Sequence, residues 1–372
     1  MQATGQPLSE NDRRDWLRLI RSENVGPINF FQLLSHYGSA AAALEALPDL
    51  ARRGGRKALR IGAADAAERE LETARRAGIL TLALPDPDYP AVLRAIADPP
   101  PLLFLRGDPG LLGRDAVAVV GARNASASGV RLARKLAHEI GEAGYVVVSG
   151  LARGIDTAAH RGALESGTVA VIAGGVDMVY PPENQGLYDE IVDRGLALSE
   201  TAIGTVATAR HFPRRNRLIS GLSLGVLVVE AAPRSGSLIT ARMAGEQGRE
   251  VFAVPGSPLD PRSRGTNGLI RQGAQLTESA EDVVEGLGRM RQSRVGGLSE
   301  PPETNAPTAQ TDASEMAGAR DSVLALLGPT PVDVDELIRQ AELTPPVVIT
   351  ILLELDLAGR LDRHPGNRVS LR

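Results

Sequence analysis

Arginine, glycine and small hydroxyl residues recur at several places in this sequence where a phosphate group could bind. Backbone N–H groups at a helix N-terminus bind anions, and the guanidinium group of arginine pairs well with phosphate oxygens. These residue types therefore favour recognition of phosphate over covalent catalysis. The candidate binding residues are Gly121, Arg123, Ser128, Gly150, Arg153, Phe212, Arg214, Arg215, Asn216, Arg217, Ser235, Gly236, Ser237 and Thr240.

The first candidate turn follows the apolar run at residues 117–120 and leads into a helix that starts near Val130. A strand, a glycine turn and a helix capped by Ser126 or Ser128 predict an anion site, which Arg123 reinforces. The spacing is not G-x-G-x-x-G, no acid follows at the position that holds a ribose, and no P-loop motif is present. We therefore expect no nicotinamide, flavin or other cofactor.

Three further segments are expected to join this site at the carboxyl edge of a doubly wound sheet. The turn after the next strand contains Gly150 and Arg153. Residues 201–229 contain no acid and include the run RHFPRRNR at 210–217, whose charges of one sign predict phosphate binding. Phe212 within this run either stacks on a base or packs against a helix end. The segment SGSLIT at 235–240 predicts one more helix N-terminus that binds anions.

The sequence lacks the patterns of catalytic and metal sites. Asp156 and His160 lie one helical turn apart, but an acid near a helix N-terminus is more simply explained by the helix dipole than by acid–base catalysis. No serine has the G-x-S-x-G context, cysteine is absent, and the five histidines lack the spacing of metal ligands. We therefore expect no catalytic residue and no metal.

Composition narrows the class of protein further. A net charge of −4 over 372 residues excludes a polycation, so any binding of nucleic acid depends on local clusters of arginine. The absence of cysteine is typical of the reducing cytoplasm, and the polar first residues predict no secretory signal. No stretch approaches the ~20 apolar residues of a membrane span. We expect a cytoplasmic protein that does not contact membranes.

The elements that would position these residues indicate three domains and a linker. Apolar residues at helical spacing predict a small all-helical domain over residues 8–80. Short β-branched runs that alternate with helical stretches over residues 85–290 predict a Rossmann-like, doubly wound α/β core with a mainly parallel sheet. Residues 291–319 predict a disordered linker, and residues 320–372 have the size and element order of a winged helix.

Five motifs in this order resemble the DNA-processing protein A family (DprA, also called Smf) across roughly residues 85–287. They are VGAR at 120–123, SGLARGID at 149–156, FPRRNR at 212–217, SGSLIT at 235–240 and VPGS at 254–257. A helical N-terminal domain and a C-terminal winged helix are the usual neighbours of this core in that family. The three domains expected in this sequence therefore occur in the same order as in that family.

The resemblance implies a protein that binds single-stranded DNA without catalysing a reaction. It also implies a homodimer formed through the Rossmann-like core, and a role in loading the RecA recombinase onto incoming DNA during natural transformation. The family pattern assigns phosphate contacts to the residues that match its basic positions: Arg123, Arg153, Arg214, Arg215 and Arg217. Ala122 departs from the serine that is common in the family, which removes one hydroxyl donor from the first turn.

Two other functions are compatible with these residues. A phosphate-binding crevice beside Glu230 is also typical of nucleotide phosphoribohydrolases, although the Pro-Gly-Gly-x-Gly-Thr loop of those enzymes is replaced here by PGSP at 255–258. A scaffold protein whose arginines pair with a partner's carboxylates would bind no DNA at all.

The terminal domains leave separate questions open. Residues 320–372 contain eight acidic and six basic residues, so we expect the winged helix to contact protein rather than DNA. The turn at residues 24–27 is either a helix-hairpin-helix element that touches phosphates or a plain packing turn.

Overall fold

The computed structural model of the protein describes residues 7–295, 313–364 and 366–372. The described residues divide into two compact units. One unit contains residues 8–69 together with the described C-terminal residues from 313 onwards, and the other contains residues 70–295.

The chain begins with helices, as the spacing of apolar residues predicts. Ser9 and Ser39 cap the first and third helix through their hydroxyl groups. Trp16 packs edge to face on Phe30, with ring centroids 4.9 Å apart. The expected all-helical N-terminal domain is confirmed. Its helices are α1 (Glu10–Arg21), α2 (Pro27–Tyr37), α3 (Ala40–Arg53) and α4 (Ala64–Arg76).

Within the described residues, nine strands form one mixed sheet in the order β1-β2-β6-β5-β4-β3-β7-β8-β9. The strands from β3 to β9 are parallel, whereas β1 and β2 form an antiparallel edge beside β6. This confirms the expected Rossmann-like core. The strands are β1 (Leu80–Ala83), β2 (Leu102–Gly107), β3 (Ala116–Val120), β4 (Val146–Ser149), β5 (Thr168–Val171), β6 (Leu196–Ser199), β7 (Gly225–Val228), β8 (Glu250–Ala253) and β9 (Gln275–Leu276).

Helices cover both faces of this sheet, which explains its apolar strands. Every residue of β3 to β7 is buried, as expected where a parallel sheet is sandwiched between helices. Leu136 and Ile140 of one covering helix pack against Val117 and Val147 of the sheet. The helices of this unit are α5 (Ala91–Arg94), α6 (Ala127–Glu142), α7 (Ile155–Ala163), α8 (Gln185–Arg194), α9 (His211–Gly221), α10 (Gly236–Glu246), α11 (Arg264–Arg271) and α12 (Ala280–Val295).

The C-terminal residues form the expected winged helix. A three-stranded sheet in the order β10-β12-β11 packs with three helices around a core that includes Val323, Leu337 and Ile351. Its elements are α13 (Ala313–Leu326), β10 (Val332–Asp333), α14 (Val334–Ala341), α15 (Pro345–Leu357), β11 (Leu361–His364) and β12 (Arg368–Leu371).

Two boundaries differ from the sequence-based expectation. The core sheet begins with β1 at Leu80, because a strand of four residues is too short to show a distinct period in the sequence. The linker expected at residues 291–319 is helical at both ends, since α12 extends to Val295 and α13 begins at Ala313. Residues 296–312 of that linker lie outside the described residues.

Candidate nucleic-acid interface

A crevice opens where the strand order changes direction, between β3 and β7. Strands β4 to β6 extend the sheet on one side of β3, whereas β7 to β9 extend it on the other. Parallel α/β sheets bind ligands at the carboxyl ends of their strands at such a switch point. The crevice here has a volume of about 810 Å³, and residues from all four candidate segments line it. The segments are therefore brought together as expected.

Arg123 is an exposed cation on the wall of this crevice. Its guanidinium carbon lies 4.9 Å from the centroid of the Phe212 ring, which is within cation–π range. The Phe212 ring also contacts the ring of Tyr180, with centroids 5.5 Å apart. Within the described residues, Arg123 takes part in no ion pair. The charge of Arg123 is thus available to a ligand beside two aromatic rings.

Arg153 lies near this aromatic pair and is exposed, and Arg214, two residues after Phe212 in α9, is exposed as well. A smaller hollow beside the main crevice is lined by Arg123, Arg153, Tyr180 and Phe212. The Arg153 side chain is 62% exposed, and its Nε lies 3.4 Å from a carboxylate oxygen of Glu183. Ion pairs in such exposed positions are weak, so a phosphate can replace the carboxylate.

Arg215 lines the crevice but is largely buried, so its expected phosphate contact stays a prediction. The residue is 6% exposed, and its guanidinium donates hydrogen bonds to the carbonyl oxygens of Gly150, at 2.7 Å, and of Val171. Burial lowers the pKa of Arg215 to about 10, and the nearby Asp156 partly opposes this. A Cβ atom on Gly150 would lie 2.6 Å from the guanidinium. Gly150, which also lines the smaller hollow beside the crevice, therefore leaves the space that the guanidinium of Arg215 occupies.

Arg217 is likewise buried, in this case against carboxylates. Its Nε lies 3.3 Å from a carboxylate oxygen of Asp98, and its guanidinium also pairs with Glu200. The neighbouring Asn216 is 8% exposed and donates a hydrogen bond to the Gly236 carbonyl oxygen at 3.3 Å. Arg217 therefore stabilises the core instead of facing a ligand.

The N-terminus of α6 already holds an anion, which corrects the expectation of a phosphate there. The carboxylate of Glu230, just after β7, accepts hydrogen bonds from the backbone N–H and the hydroxyl group of Ser126. A Cβ atom on Gly129 would lie 2.4 Å from a Glu230 carboxylate oxygen. Ser128 is exposed, and its hydroxyl lies 2.9 Å from that of Ser126. The chain itself therefore supplies the negative charge at this helix end.

The N-terminus of α10 is open by comparison. Ser235 caps the helix, and its hydroxyl lies 2.8 Å from that of Ser237. A Cβ atom on Gly236 would meet no atom within 4 Å, so a ligand can approach the backbone there. Thr240, which is 2% exposed, lines the crevice one turn further along the helix. An anion fits this helix end.

Asp156 and His160 stabilise the core and do not pair with each other. The buried carboxylate of Asp156 accepts hydrogen bonds from the backbone N–H groups of Gly150 and Ala152 at 3.2 and 3.3 Å. Burial raises the pKa of this carboxyl group, and the charge of Arg215 opposes the effect. His160 Nδ1 lies 2.8 Å from the hydroxyl of Thr168. The geometry gives no support to acid–base catalysis by these two residues.

Sequence reasoning missed two residues that line the crevices. Tyr180 is 45% exposed and contacts Phe212, but its segment has no periodic pattern. The available signal is a lone tyrosine before two prolines at 181 and 182. Arg234 is exposed on the crevice wall, and its signal is its position directly before the SGSLIT motif.

The chemistry of the site is that of arginine, hydroxyl, backbone N–H and aromatic groups. Across residues 7–295, 313–364 and 366–372, no group of three or more His, Asp or Glu side chains is placed to hold a metal ion. None of the helices in the described part of the chain has the length and apolar character needed to cross a membrane.

Comparison with known proteins places the chain among proteins with this domain order. Three family models match in succession: a DprA-like N-terminal HHH domain at residues 10–73, DNA recombination-mediator protein A at residues 80–288, and a DprA winged helix domain at residues 302–367. The DNA processing protein DprA of Bacillus subtilis (strain 168) is 47% identical over 222 residues, or 59% of this chain and 75% of that relative. The protein Smf of Escherichia coli (strain K12) is 42% identical over 287 residues, or 76% of this chain and 75% of the relative.

Solved structures agree with these matches. The X-ray structure of DprA from Streptococcus pneumoniae superposes with a TM-score of 0.61 at 38% identity, covering 75% of this chain and 98% of that one. A structure of DNA processing protein A from Helicobacter pylori, described as giving insight into its single-stranded DNA binding mode, has a TM-score of 0.52 at 31% identity. The superposed region covers 57% of this chain and 96% of the Helicobacter pylori chain. The chain belongs to the DNA recombination-mediator protein A family, whose members include DprA and Smf.

Proposed function

We propose that this protein binds single-stranded DNA without regard to base sequence at the crevice between β3 and β7. The observation that carries the proposal is the arrangement of Arg123, Phe212 and Tyr180. An exposed guanidinium lies 4.9 Å from one aromatic ring, which contacts a second ring. Base stacking on aromatic rings, combined with phosphate pairing by cations, is how proteins bind single strands without sequence preference.

The groups around these rings fit a phosphate chain. Arg153 lies beside the rings, Arg234 and the open N-terminus of α10 line the same crevice as Arg123 and Phe212, and Arg214 is exposed on α9. Cations and helix N-termini contact phosphates and carry no information about base identity. A duplex keeps its bases stacked inside, so it cannot place them on Phe212 and Tyr180. This chemistry favours a single strand over a duplex.

The relatives support the same assignment. The Helicobacter pylori protein, similar over 57% of this chain, is described as binding single-stranded DNA. The matching family model is described as a recombination mediator.

We further propose that the protein forms a homodimer through its Rossmann-like core and loads the RecA recombinase onto incoming DNA during natural transformation. The family resemblance supports both statements.

We also propose that the protein is not an enzyme. The carboxylate that a phosphoribohydrolase would need beside the crevice, Glu230, is engaged by Ser126 at 2.9 Å. Incubation with nucleoside monophosphates should therefore release no free base, and release would favour the enzyme instead.

Charge reversal at two exposed arginines tests the proposed binding site. We expect Arg123→Glu combined with Arg153→Glu to weaken binding to fluorescent oligo-dT by about 100-fold or more, because two phosphate contacts become repulsive. Thermal unfolding should change little, since both side chains are exposed. Arg194→Glu is the matched control, because Arg194 is 53% exposed and lies just before β6, at the amino ends of the parallel strands and away from the crevice at their carboxyl ends. Unchanged binding by the double variant would disprove the site.

A further inference from the structure

The third helix of the winged helix, α15, is buried on two sides. Leu353, Glu354 and Leu357 are 4%, 0% and 0% exposed, yet they lie outside the winged helix's own core. Side chains that are buried outside the core of their own domain pack against a second body. The side chains of α15 that do form the winged helix's own core are Val348, Ile351, Leu352 and Leu355.

The second side of α15 contacts the end of α3 in the helical N-terminal domain. A Cβ atom on Gly54, the C-cap residue of α3, would lie 2.0 Å from the carbonyl oxygen of Glu354. The two backbones are therefore in direct contact. Arg53 Nε lies 3.4 Å from Glu354 Oε1, and Asn24 Nδ2 donates a hydrogen bond of 2.9 Å to the Leu357 carbonyl oxygen. Asn24, in the turn at residues 24–27, therefore contributes to the packing of the two domains.

Two arginines beyond α15 extend this contact. Arg360 donates a hydrogen bond of 3.4 Å to the carbonyl oxygen of Gly54. Arg363 pairs with Asp356 at 2.8 Å and also donates to Asn29 Oδ1 at 3.3 Å. The contact therefore combines backbone approach, polar bonds and apolar burial over several residues of each domain.

Glu354 forms ion pairs with both domains. Its carboxylate is fully buried and pairs with Arg53 of the helical domain and with Arg320 of α13. A buried carboxylate is strongly destabilising when a cationic partner is removed. Separation of the two domains would take Arg53 away from Glu354. The pairing therefore favours the docked arrangement.

We propose that the partner of this winged helix is the helical N-terminal domain of the same chain, which withholds α15 from nucleic acid. A winged helix that binds DNA inserts a helix with polar and basic side chains into the major groove. α15 contains neither lysine nor arginine, and α3 covers the side on which Glu354 lies. The docking accounts for a buried acidic residue in the helix that would otherwise approach phosphates.

Cleavage of the full-length chain tests the proposal. A protease site is introduced within residues 296–312. Cleavage of the folded protein at this site breaks the covalent link between the C-terminal fragment and the rest of the chain. We expect the fragment to co-elute with the remainder in gel filtration, and an added DNA duplex to leave this co-elution unchanged. Gly54→Ala should release most of the fragment, because the new methyl group collides with the Glu354 backbone while the Gly54 φ of −71° suits alanine. Gly26→Ala is the control, since a Cβ atom there meets nothing within 4 Å.

Three results would contradict docking of the winged helix on the helical domain. Release of the fragment from the cleaved wild-type protein would overturn the proposal, as would its displacement by duplex DNA. Retention by Gly54→Ala equal to that of wild type would also overturn it. Glu354→Gln provides a second variant from the other side of the contact, and weaker retention than wild type is expected because the ion pairs with Arg53 and Arg320 are lost.

Discussion

The carboxylate of Glu230 accepts a hydrogen bond of 2.9 Å from the backbone N–H of Ser126, and so closes the N-terminus of α6. A helix end carries a partial positive charge that attracts anions, and here the chain supplies its own. The first turn therefore contributes Arg123 to the proposed DNA site without contributing the helix end. This division explains how a glycine turn can lie at the proposed DNA site without itself holding a phosphate.

Neutralising Glu230 should strengthen DNA binding. Glu230→Gln keeps a hydrogen-bonding group near Ser126 but removes a negative charge from the edge of the crevice, where it repels phosphates. We expect the Kd for oligo-dT to fall about three- to tenfold at low salt, and the difference to shrink as salt screens the charge. Anisotropy titrations at several salt concentrations measure this. Weaker binding by Glu230→Gln would mean that the carboxylate helps to position the ligand.

Arg214 and Arg217, three residues apart, should respond differently to alanine. Arg217→Ala leaves Asp98 and Glu200 without their cation, and burial already raises the pKa of Asp98. We expect a loss of about 2 kcal/mol in the free energy of unfolding, since removal of Arg217 leaves two partly buried carboxylates uncompensated. Arg214 is exposed, so Arg214→Ala should change stability by less than about 0.5 kcal/mol and weaken DNA binding instead. Urea unfolding and oligo-dT titration of both variants compare these effects, and equal stability losses would contradict the burial argument.

The positions of β3 to β8 and of the crevice could be predicted from the sequence, because they follow from simple patterns, whereas β1, β2 and β9 were not predicted. The runs that became β3 to β8 are short and apolar, and strands buried on both faces must be so. Once the sheet is doubly wound, the turns after β3 and β4 meet at one edge. Arg123 and Arg153 therefore reach the same surface as expected.

The sequence did not predict which arginines of the FPRRNR motif are exposed and which are buried. Arg214, Arg215 and Arg217 are identical in type, and only the direction of each side chain from α9 decides between solvent and core. The partners that hold the buried pair lie far along the chain: Gly150 for Arg215, and Asp98 for Arg217. No local pattern reports such contacts. The same reason hides the pairing of Glu230 with Ser126, which are 104 residues apart.

His160 should make stability depend on pH. Burial lowers the pKa of His160 to about 3, because the ring lies in the core and near Arg215. The Thr168 hydroxyl donates to the Val147 carbonyl oxygen, so His160 Nδ1 must donate to Thr168 and the neutral ring is held in one tautomer. In the unfolded chain the ring titrates near pH 6.5. The unfolded state therefore binds more protons below that pH, and stability present above pH 6.5 falls as the pH drops toward 3.

The variant His160→Leu removes this titration. Between pH 7 and pH 4.5 we expect the wild type to lose about 2.5 kcal/mol of unfolding free energy through this residue, and the variant to lack that part of the loss. Urea unfolding at the two pH values measures both. Buried Asp156, whose raised pKa acts in the opposite direction, is present in both proteins and cancels in the comparison. An equal loss in wild type and variant would show that His160 is not the group responsible.

Salt dependence should distinguish the arginines from the aromatic rings of the proposed site. The slope of log K against log salt is about −0.7 for each phosphate contact to a single strand. Arg123, Arg153, Arg214 and Arg234 are exposed, whereas Arg215 and Arg217 are not, so we expect a wild-type slope of roughly −3. Arg214→Ala should make the slope less negative by about 0.7, because one phosphate contact is removed.

Tyr180→Leu removes an aromatic ring without changing the charge, and base stacking on such a ring contributes about 1–3 kcal/mol. We expect this variant to bind oligo-dT at least about fivefold more weakly with an unchanged salt slope. Phe212→Leu is a less clean test, because its ring also holds the guanidinium of Arg123 at 4.9 Å and its loss should alter both affinity and slope. If Tyr180→Leu changed the slope as much as Arg214→Ala, the ring would be acting on the arginines rather than on a base.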